Sequence, residues 1–276
     1  MSAPDTRLRR RMAELARTGR PALIVYLTQG DPSPEASIDL CERAAAAGAD
    51  AIELGVPFSD PNADGVVIQA AMQRALRQRG GLASALDGVA ALRRRGCDVP
   101  IVLFGYYNPI FVAGVERFAR DAAAAGVCAV LTVDLPVDEL DELASPLARA
   151  GVDVVPLVAP TTGADRLAAL GRLDVPFVYY ISMTGVTGAA FRGASGGADR
   201  IAQVRRAARA PVAVGFGIKT PADAAEVARS ADGVVVGSAV VERIAAAESA
   251  AAACDAVGSF VAELRAALDD GARRSR

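Results

Sequence analysis

The run Ala49-Asp-Ala-Ile-Glu-Leu-Gly-Val-Pro-Phe-Ser-Asp-Pro-Asn-Ala-Asp-Gly65 reads as one strand and the loop that leaves it. Ala51, Ile52 and Leu54 form a short apolar run. Gly55, Pro57, Pro61 and Gly65 then break regular structure, so Ser59, Asp60 and Asp64 fall on a loop at the strand's C-terminal end. Glu53 sits inside the apolar run, where a carboxylate loses hydration and its pKa rises. Taken alone, a strand glutamate is more simply a buried carboxylate satisfied by backbone or tyrosine. Asp60 and Asp64 are more simply turn formers.

The same unit recurs along the chain. Strand-like runs begin near Ala22, Asp50, Val99, Val127, Val152, Phe177, Val212 and Gly233, and each is followed by helical patterning. They exit at Gln29-Gly-Asp-Pro32, the Asp60 loop, Gly105-Tyr-Tyr-Asn-Pro109, Asp134-Leu-Pro136, Pro160-Thr-Thr-Gly163, Ser182-Met-Thr-Gly-Val-Thr-Gly188, Gly215-Phe-Gly217 and Gly237-Ser238. Near-continuous apolar strands alternating with helices predict a parallel sheet covered by helices. Eight such units in 276 residues favour a closed (β/α)8 TIM barrel over an open doubly wound sheet. Ahead of the first strand, residues 5 to 19 place Leu8, Met12, Leu15 and Ala16 at helical spacing and stop at Gly19. No Pro- or Ser-rich linker divides the chain. The expectation is therefore one domain over 1–276, with an N-terminal helix to residue 20, the barrel over 21–268 and a disordered tail over 269–276. The Gly-, Ala- and Ser-rich stretch 192–199 is taken as part of a mobile sixth loop.

Composition narrows the chemistry. Hydrophobic residues make up 52% of the chain, ample for a core, and a net charge of -2 gives no electrostatic case for nucleic acid. Histidine is absent, which excludes Ser-His-Asp and Cys-His nucleophiles and the common His-ligated metal sites. Proton transfer near neutral pH then falls to carboxylates, tyrosines, lysine or water. The four cysteines are far apart and form no CxxC pair, which reads as reduced, buried thiols in a cytosolic protein. The N-terminus has no apolar signal core, and no run approaches the roughly 18 apolar residues of a membrane span. These features predict a soluble, cytoplasmic protein with no metal and no membrane partner.

In a barrel of this kind all strand exits open on one face, where active sites sit. Gly215-Phe-Gly217 and Gly237-Ser238 are glycine-bearing exits ahead of helices, at the seventh and eighth positions where phosphate sites are frequent, and free backbone N–H groups there can hold a dianion. A GFG tripeptide by itself is as readily a turn. From the residues alone the reading is a barrel enzyme acting on a phosphorylated substrate by carboxylate acid/base catalysis.

With these pieces assembled, the chain resembles the tryptophan synthase α-subunit family over most of its length. The resemblance rests on Glu53-Leu-Gly-Val-Pro-Phe-Ser-Asp-Pro-Asn-Ala-Asp-Gly65, joined by Thr28-Gln-Gly-Asp-Pro32, Gly105-Tyr-Tyr-Asn-Pro109, Asp134-Leu-Pro136, Gly185-Val-Thr-Gly188, Gly215-Phe-Gly217 and Gly237-Ser238, in family order and spacing. It implies cofactor-free retro-aldol cleavage of indole-3-glycerol phosphate to indole and glyceraldehyde 3-phosphate. It further implies Glu53 as the acid/base group and Asp64 as the acceptor for the indole N–H. Tyr179 is expected near the glutamate, Tyr26, Phe104, Leu131 and Ile181 around the indole, and Gly188, Phe216, Gly217, Gly237 and Ser238 around the phosphate. Asp60 and Thr187 match a loop pair that closes over substrate. The resemblance also implies a pyridoxal-phosphate β subunit, an α2β2 assembly, and contacts to it through the Phe58 to Asn62 and Tyr106 to Pro109 loops, including Asn108.

The sequence departs from the family pattern at Val66, where a proline is usual, and at Met183-Thr184, where an Arg-Ala type of pair is usual. Alternatives are a stand-alone indole-3-glycerol phosphate lyase of secondary metabolism, a non-catalytic regulatory partner of a β subunit, and a different phosphosugar barrel enzyme. Retention of both Glu53 and Asp64 argues against the regulatory reading.

Overall fold

Residues 51 to 55 show how the chain builds its sheet. Ile52 and Leu54 pack outward into the layer of helices, while Ala51 joins a separate apolar cluster inside the sheet, so the strand is buried on both faces. A computed structural model of the protein describes residues 4–181, 197–215 and 217–274, side chains at 273 and 274 excepted. Nine parallel strands are described: β1 (Ala22–Thr28), β2 (Ala51–Gly55), β3 (Ile101–Gly105), β4 (Ala129–Thr132), β5 (Asp153–Val154), β6 (Leu157–Val158), β7 (Val178–Ile181), β8 (Val212–Gly215) and β9 (Gly233–Val236). They hydrogen-bond in the order β5-β4-β3-β2-β1-β9-β8-β7-β6.

The two ends of that order are the halves of one segment, which closes the barrel. The fifth predicted strand is split because Pro156 has no N–H to give a ladder. On one side Val155 N donates to Val130 O (2.9 Å), and on the other Tyr179 N donates to Pro156 O (2.9 Å). The eight-unit expectation thus holds, the ninth strand being a break within the fifth.

Twelve helices are described: α1 (Arg7–Thr18), α2 (Pro34–Ala46), α3 (Val66–Arg77), α4 (Leu82–Arg94), α5 (Tyr107–Ala113), α6 (Val115–Ala125), α7 (Asp141–Ala150), α8 (Ala164–Leu170), α9 (Gly197–Ala208), α10 (Pro221–Val227), α11 (Ser238–Ala246) and α12 (Ala250–Arg274). Two differ from expectation. The third exit, read as a loop through Pro109, is mostly helix: α5 starts at Tyr107 and accommodates Pro109 in its first turn, where a missing N–H costs no helical bond. Gly114 (φ 86°) then separates α5 from α6. At the other end α12 runs to Arg274, past the Leu268 where the sequence reading ends it. Asp269 is held there by Arg20 (3.1 Å) and by Arg265 one turn back (2.7 Å).

Helix α1 packs on the N-terminal end of the barrel. It starts at an N-cap, Thr6, whose side chain accepts from Arg9 N, and stops at Gly19 in the left-handed region (φ 63°). Leu8, Met12 and Leu15 are buried in the inner cluster, each contributing roughly 1.5–3 kcal/mol of apolar burial, while Ala16 is exposed. Beside it, buried Asp50 accepts from Leu23 N (2.7 Å) and pairs with Arg11 (2.6 Å) and Arg265 (3.0 Å). The four cysteines are free, Cys41 and Cys128 buried as expected and Cys97 and Cys254 only half-buried. No helix among the described residues is long and apolar enough to cross a membrane.

Candidate active site

The C-terminal ends of the strands surround a cavity of about 370 Å³, within the range of roughly 300–1,000 Å³ usual for small-molecule sites. Alternation along each strand decides what reaches it. Glu53 on β2 points inward because Ile52 and Leu54 point out, and it lies in register with Tyr26 of β1 and Val102 of β3.

Glu53 is 1% exposed, and neither carboxylate oxygen has a hydrogen-bond partner among the described residues. Burial pushes its pKa from 4.5 to about 8. Unlike a satisfied core carboxylate, it is a proton-bearing group at neutral pH whose polar atoms are left open to a ligand. The expectation of a hydrogen-bonded structural glutamate is not what the geometry shows.

The exit-loop aspartates, indistinguishable in sequence, separate cleanly by partner. Asp31 is buried and held at both oxygens by Arg74 of α3 (2.7 and 2.8 Å), which anchors the first loop. Asp134 accepts from Tyr107 N (2.8 Å) and so caps α5. Asp60 is exposed and accepts from Ser59 Oγ. Only Asp64 of the four lines the cavity. Its Oδ2 accepts from Tyr106 Oη (2.7 Å), and Tyr106 Oη in turn accepts from Ala63 N (3.0 Å). Burial raises the Asp64 pKa, and the Tyr106 hydrogen bond works against that rise. Tyr106, 3% exposed, packs against Phe58 with ring centroids 5.0 Å apart, so it is a rigid support for Asp64 rather than a surface residue.

An aromatic wall completes the inner end. Tyr26 and Phe104 meet edge to face at 5.4 Å, and Phe104 and Tyr179 lie 6.4 Å apart. Both tyrosines lean over a glycine on the neighbouring strand. A Cβ on Gly55 would fall on the Tyr26 hydroxyl, and one on Gly215 on the Tyr179 hydroxyl. Burial and the nearby carboxylates raise both phenol pKa values well above 10.

At the outer end, Gly217, Gly237 and Ser238 line the same cavity. The two predicted glycine exits are not equivalent. Gly237 precedes α11 directly, and no side chain caps that nine-residue helix, which leaves its first N–H groups, at the cavity-lining Gly237-Ser238 exit, without a side-chain cap. Gly217 lies four residues before α10. That helix is closed by its own capping box, with Thr220 Oγ1 accepting from Asp223 N (3.1 Å) and Asp223 Oδ2 from Thr220 N (3.0 Å). An anion would therefore use the α11 end, with Gly217 contributing as an adjacent loop.

Of the residues expected at the site, Glu53, Asp64, Tyr26, Phe104, Tyr179, Ile181, Gly217, Gly237 and Ser238 all line the cavity. Leu131 does not: it is fully buried in the inner cluster, off the cavity wall. Asp60 and Asn108 are exposed and also off the wall. Thr187, Gly188 and Phe216 lie outside the described residues. Sequence reasoning missed Tyr106 as the support of Asp64, and Val67, Lys219 and Glu242 on the wall. Among the described residues no group of three or more Cys, Asp or Glu could hold a metal ion.

Residues 12–269 match the family model described as Tryptophan synthase alpha chain. A tryptophan synthase alpha chain from Xanthomonas oryzae pv. oryzae is 47% identical over 260 residues, covering 94% of this chain and 97% of the relative. Among solved structures, tryptophan synthase subunit alpha from Legionella pneumophila is similar at a TM-score of 0.89 with 35% identity, covering 96% of this chain and 99% of the other. A Mycobacterium tuberculosis tryptophan synthase chain is similar at 0.84 with 35% identity, covering 95% and 98%. With a cavity at the strand exits, a buried glutamate and a supported aspartate in the expected places, the chain belongs to the tryptophan synthase alpha chain family.

Proposed function

We propose that this cavity cleaves indole-3-glycerol phosphate to indole and glyceraldehyde 3-phosphate, the lyase reaction of the family, with Glu53 as the single proton shuttle. The observation that carries the reading is Glu53 itself, buried and without a hydrogen-bond partner among the described residues, so that burial raises its pKa to about 8 and keeps it protonated at neutral pH. Protonated Glu53 delivers its proton to ring carbon C3, leaving a carboxylate and a positively charged ring. Asp64, held by Tyr106, accepts the ring N–H and stabilises that charge. The Glu53 carboxylate then takes the proton of the glycerol hydroxyl next to the C3 bond. The carbonyl forms, the C–C bond breaks, its electrons return to the ring, and Glu53 ends protonated as it began. Tyr26, Phe104 and Tyr179 wall the indole, while the α11 N-terminus with Ser238 and Gly217 holds the phosphate.

We further propose a β-subunit partner on the rim. Phe111 and Val112 of α5 are 61% and 77% exposed and adjoin Asn108, an apolar patch beside the exits that a docking subunit would cover. Asp60, exposed on the second loop, belongs to the same rim, and cytoplasmic residence accords with this role. The test is steady-state release of indole from indole-3-glycerol phosphate by the purified chain, with and without a tryptophan synthase β subunit. Slow turnover alone and a large rise with the partner is the expected result. No turnover in either condition would overturn the reaction, and fast turnover that ignores the partner would overturn the partner.

A further inference from the structure

The chain has 29 arginines and a single lysine, Lys219, and that lysine is the one cation on the cavity wall among the described residues. It shares that wall with Gly217, Gly237 and Ser238. Three acidic side chains line the same space, Glu53, Asp64 and Glu242, the last one turn along α11 from Ser238. Among the described residues the arginines are spent elsewhere: thirteen of them form ion pairs, none of them on the cavity wall. The Lys219 main chain is fixed, its N–H donating to Asp223 Oδ2 (3.3 Å) in the α10 capping box. Its side chain is exposed and joins no ion pair among the described residues. Because Glu53 keeps its proton, a dianion entering the cavity meets the Asp64 and Glu242 carboxylates; it needs more than backbone N–H groups to offset their repulsion, and a flexible ammonium is suited to that.

We propose that Lys219 binds the substrate phosphate, as its one cationic ligand among the described residues, and sets the preference for phosphorylated over unphosphorylated substrate. The inference rests on the indole-3-glycerol phosphate reading of the site and deepens it. The single lysine makes it directly observable. Reductive methylation with ¹³C-formaldehyde keeps the charge and labels Lys219 and the N-terminal amine, and Lys219→Ala identifies which NMR signal is which. Glycerol 3-phosphate should shift the Lys219 signal, half-saturating at its competitive inhibition constant against turnover, while glycerol leaves it unmoved. Lys219→Ala should weaken glycerol 3-phosphate binding about ten-fold and raise KM for the substrate similarly, with kcat falling less, and Lys219→Arg should restore most of the loss. A Lys219 signal unmoved at saturating glycerol 3-phosphate, or unchanged affinity in Lys219→Ala, overturns this assignment alone. If the unsubstituted protein does not bind glycerol 3-phosphate, the phosphate reading of the site falls and this inference with it.

Discussion

Replacing Glu53 by Gln should abolish indole release and also stabilise the fold at alkaline pH. A carboxyl whose pKa in the fold lies above its ordinary value keeps its proton longer in the native state than in the unfolded chain. Stability therefore falls as pH rises between the two values, here from 4.5 to about 8. Glutamine has no proton to lose, and every other group titrates alike in both proteins, so the difference isolates Glu53. At about 1.4 kcal/mol for each tenfold change in proton affinity, holding the charge inside the barrel costs on the order of 5 kcal/mol above pH 8. Below pH 5 it costs about 1 kcal/mol or less. At a few degrees per kcal/mol for a chain of this size, the two melting temperatures should diverge by roughly 10 °C between pH 5 and pH 9, the variant being higher. The assay is thermal unfolding by circular dichroism at fixed ionic strength, with glycerol 3-phosphate binding as the check that the variant's site is formed. Parallel melting curves across that pH range would refute the claim that burial holds the Glu53 pKa near 8.

Three other perturbations test separate parts of the structure. Tyr106→Phe removes the donor to Asp64, so the Asp64 pKa should rise further, the acid limb of the rate profile should move to higher pH, and kcat/KM should fall about ten-fold; an unmoved acid limb would show that Tyr106 does not support Asp64. Gly215→Ala drives a methyl into the Tyr179 hydroxyl and should destabilise by about 1–3 kcal/mol, with Gly215→Ala/Tyr179→Phe recovering part of that loss in a urea titration; additive effects would contradict the packing. Asp50→Ala removes one of the two acidic partners of buried Arg265 and the acceptor of Leu23 N, which should cost about 3 kcal/mol in denaturant unfolding while leaving kcat/KM of the folded protein unchanged, because Asp50 lies at the opposite end of the barrel.

How far the sequence reached depended on whether a feature is local. Strands buried on both faces carry near-continuous apolar runs, so the eight units could be counted, and Gly19 ends α1 where a left-handed residue is needed. The break at Pro156 changes only which neighbour each half of a strand bonds, which an apolar run does not record. Gly, Pro and Asn after β3 look like a loop, yet a proline in the first helical turn breaks nothing, and α5 was hidden by that. The site divides the same way. Glu53 is conspicuous because one charged residue interrupts an apolar strand. Asp31, Asp64 and Asp134 look alike in sequence, and only tertiary partners, Arg74, Tyr106 and the α5 N-terminus, separate them. Leu131 was placed by resemblance, while its depth inside the barrel is set by packing. The signal for Lys219 was in plain view, as one lysine against 29 arginines, and carried no position until the eighth exit was folded beside the seventh.

The most direct test is the titration of Glu53 itself, followed by ¹³C NMR of the glutamate side-chain carboxyls with Glu53→Gln identifying the signal, beside the pH profile of kcat/KM for indole-3-glycerol phosphate. One carboxyl titrating near pH 8, with kcat/KM falling as pH rises through the same value, is the predicted result. A Glu53 that titrates in the ordinary carboxylate range, or a rate that does not follow its protonation, would contradict its role as the proton shuttle.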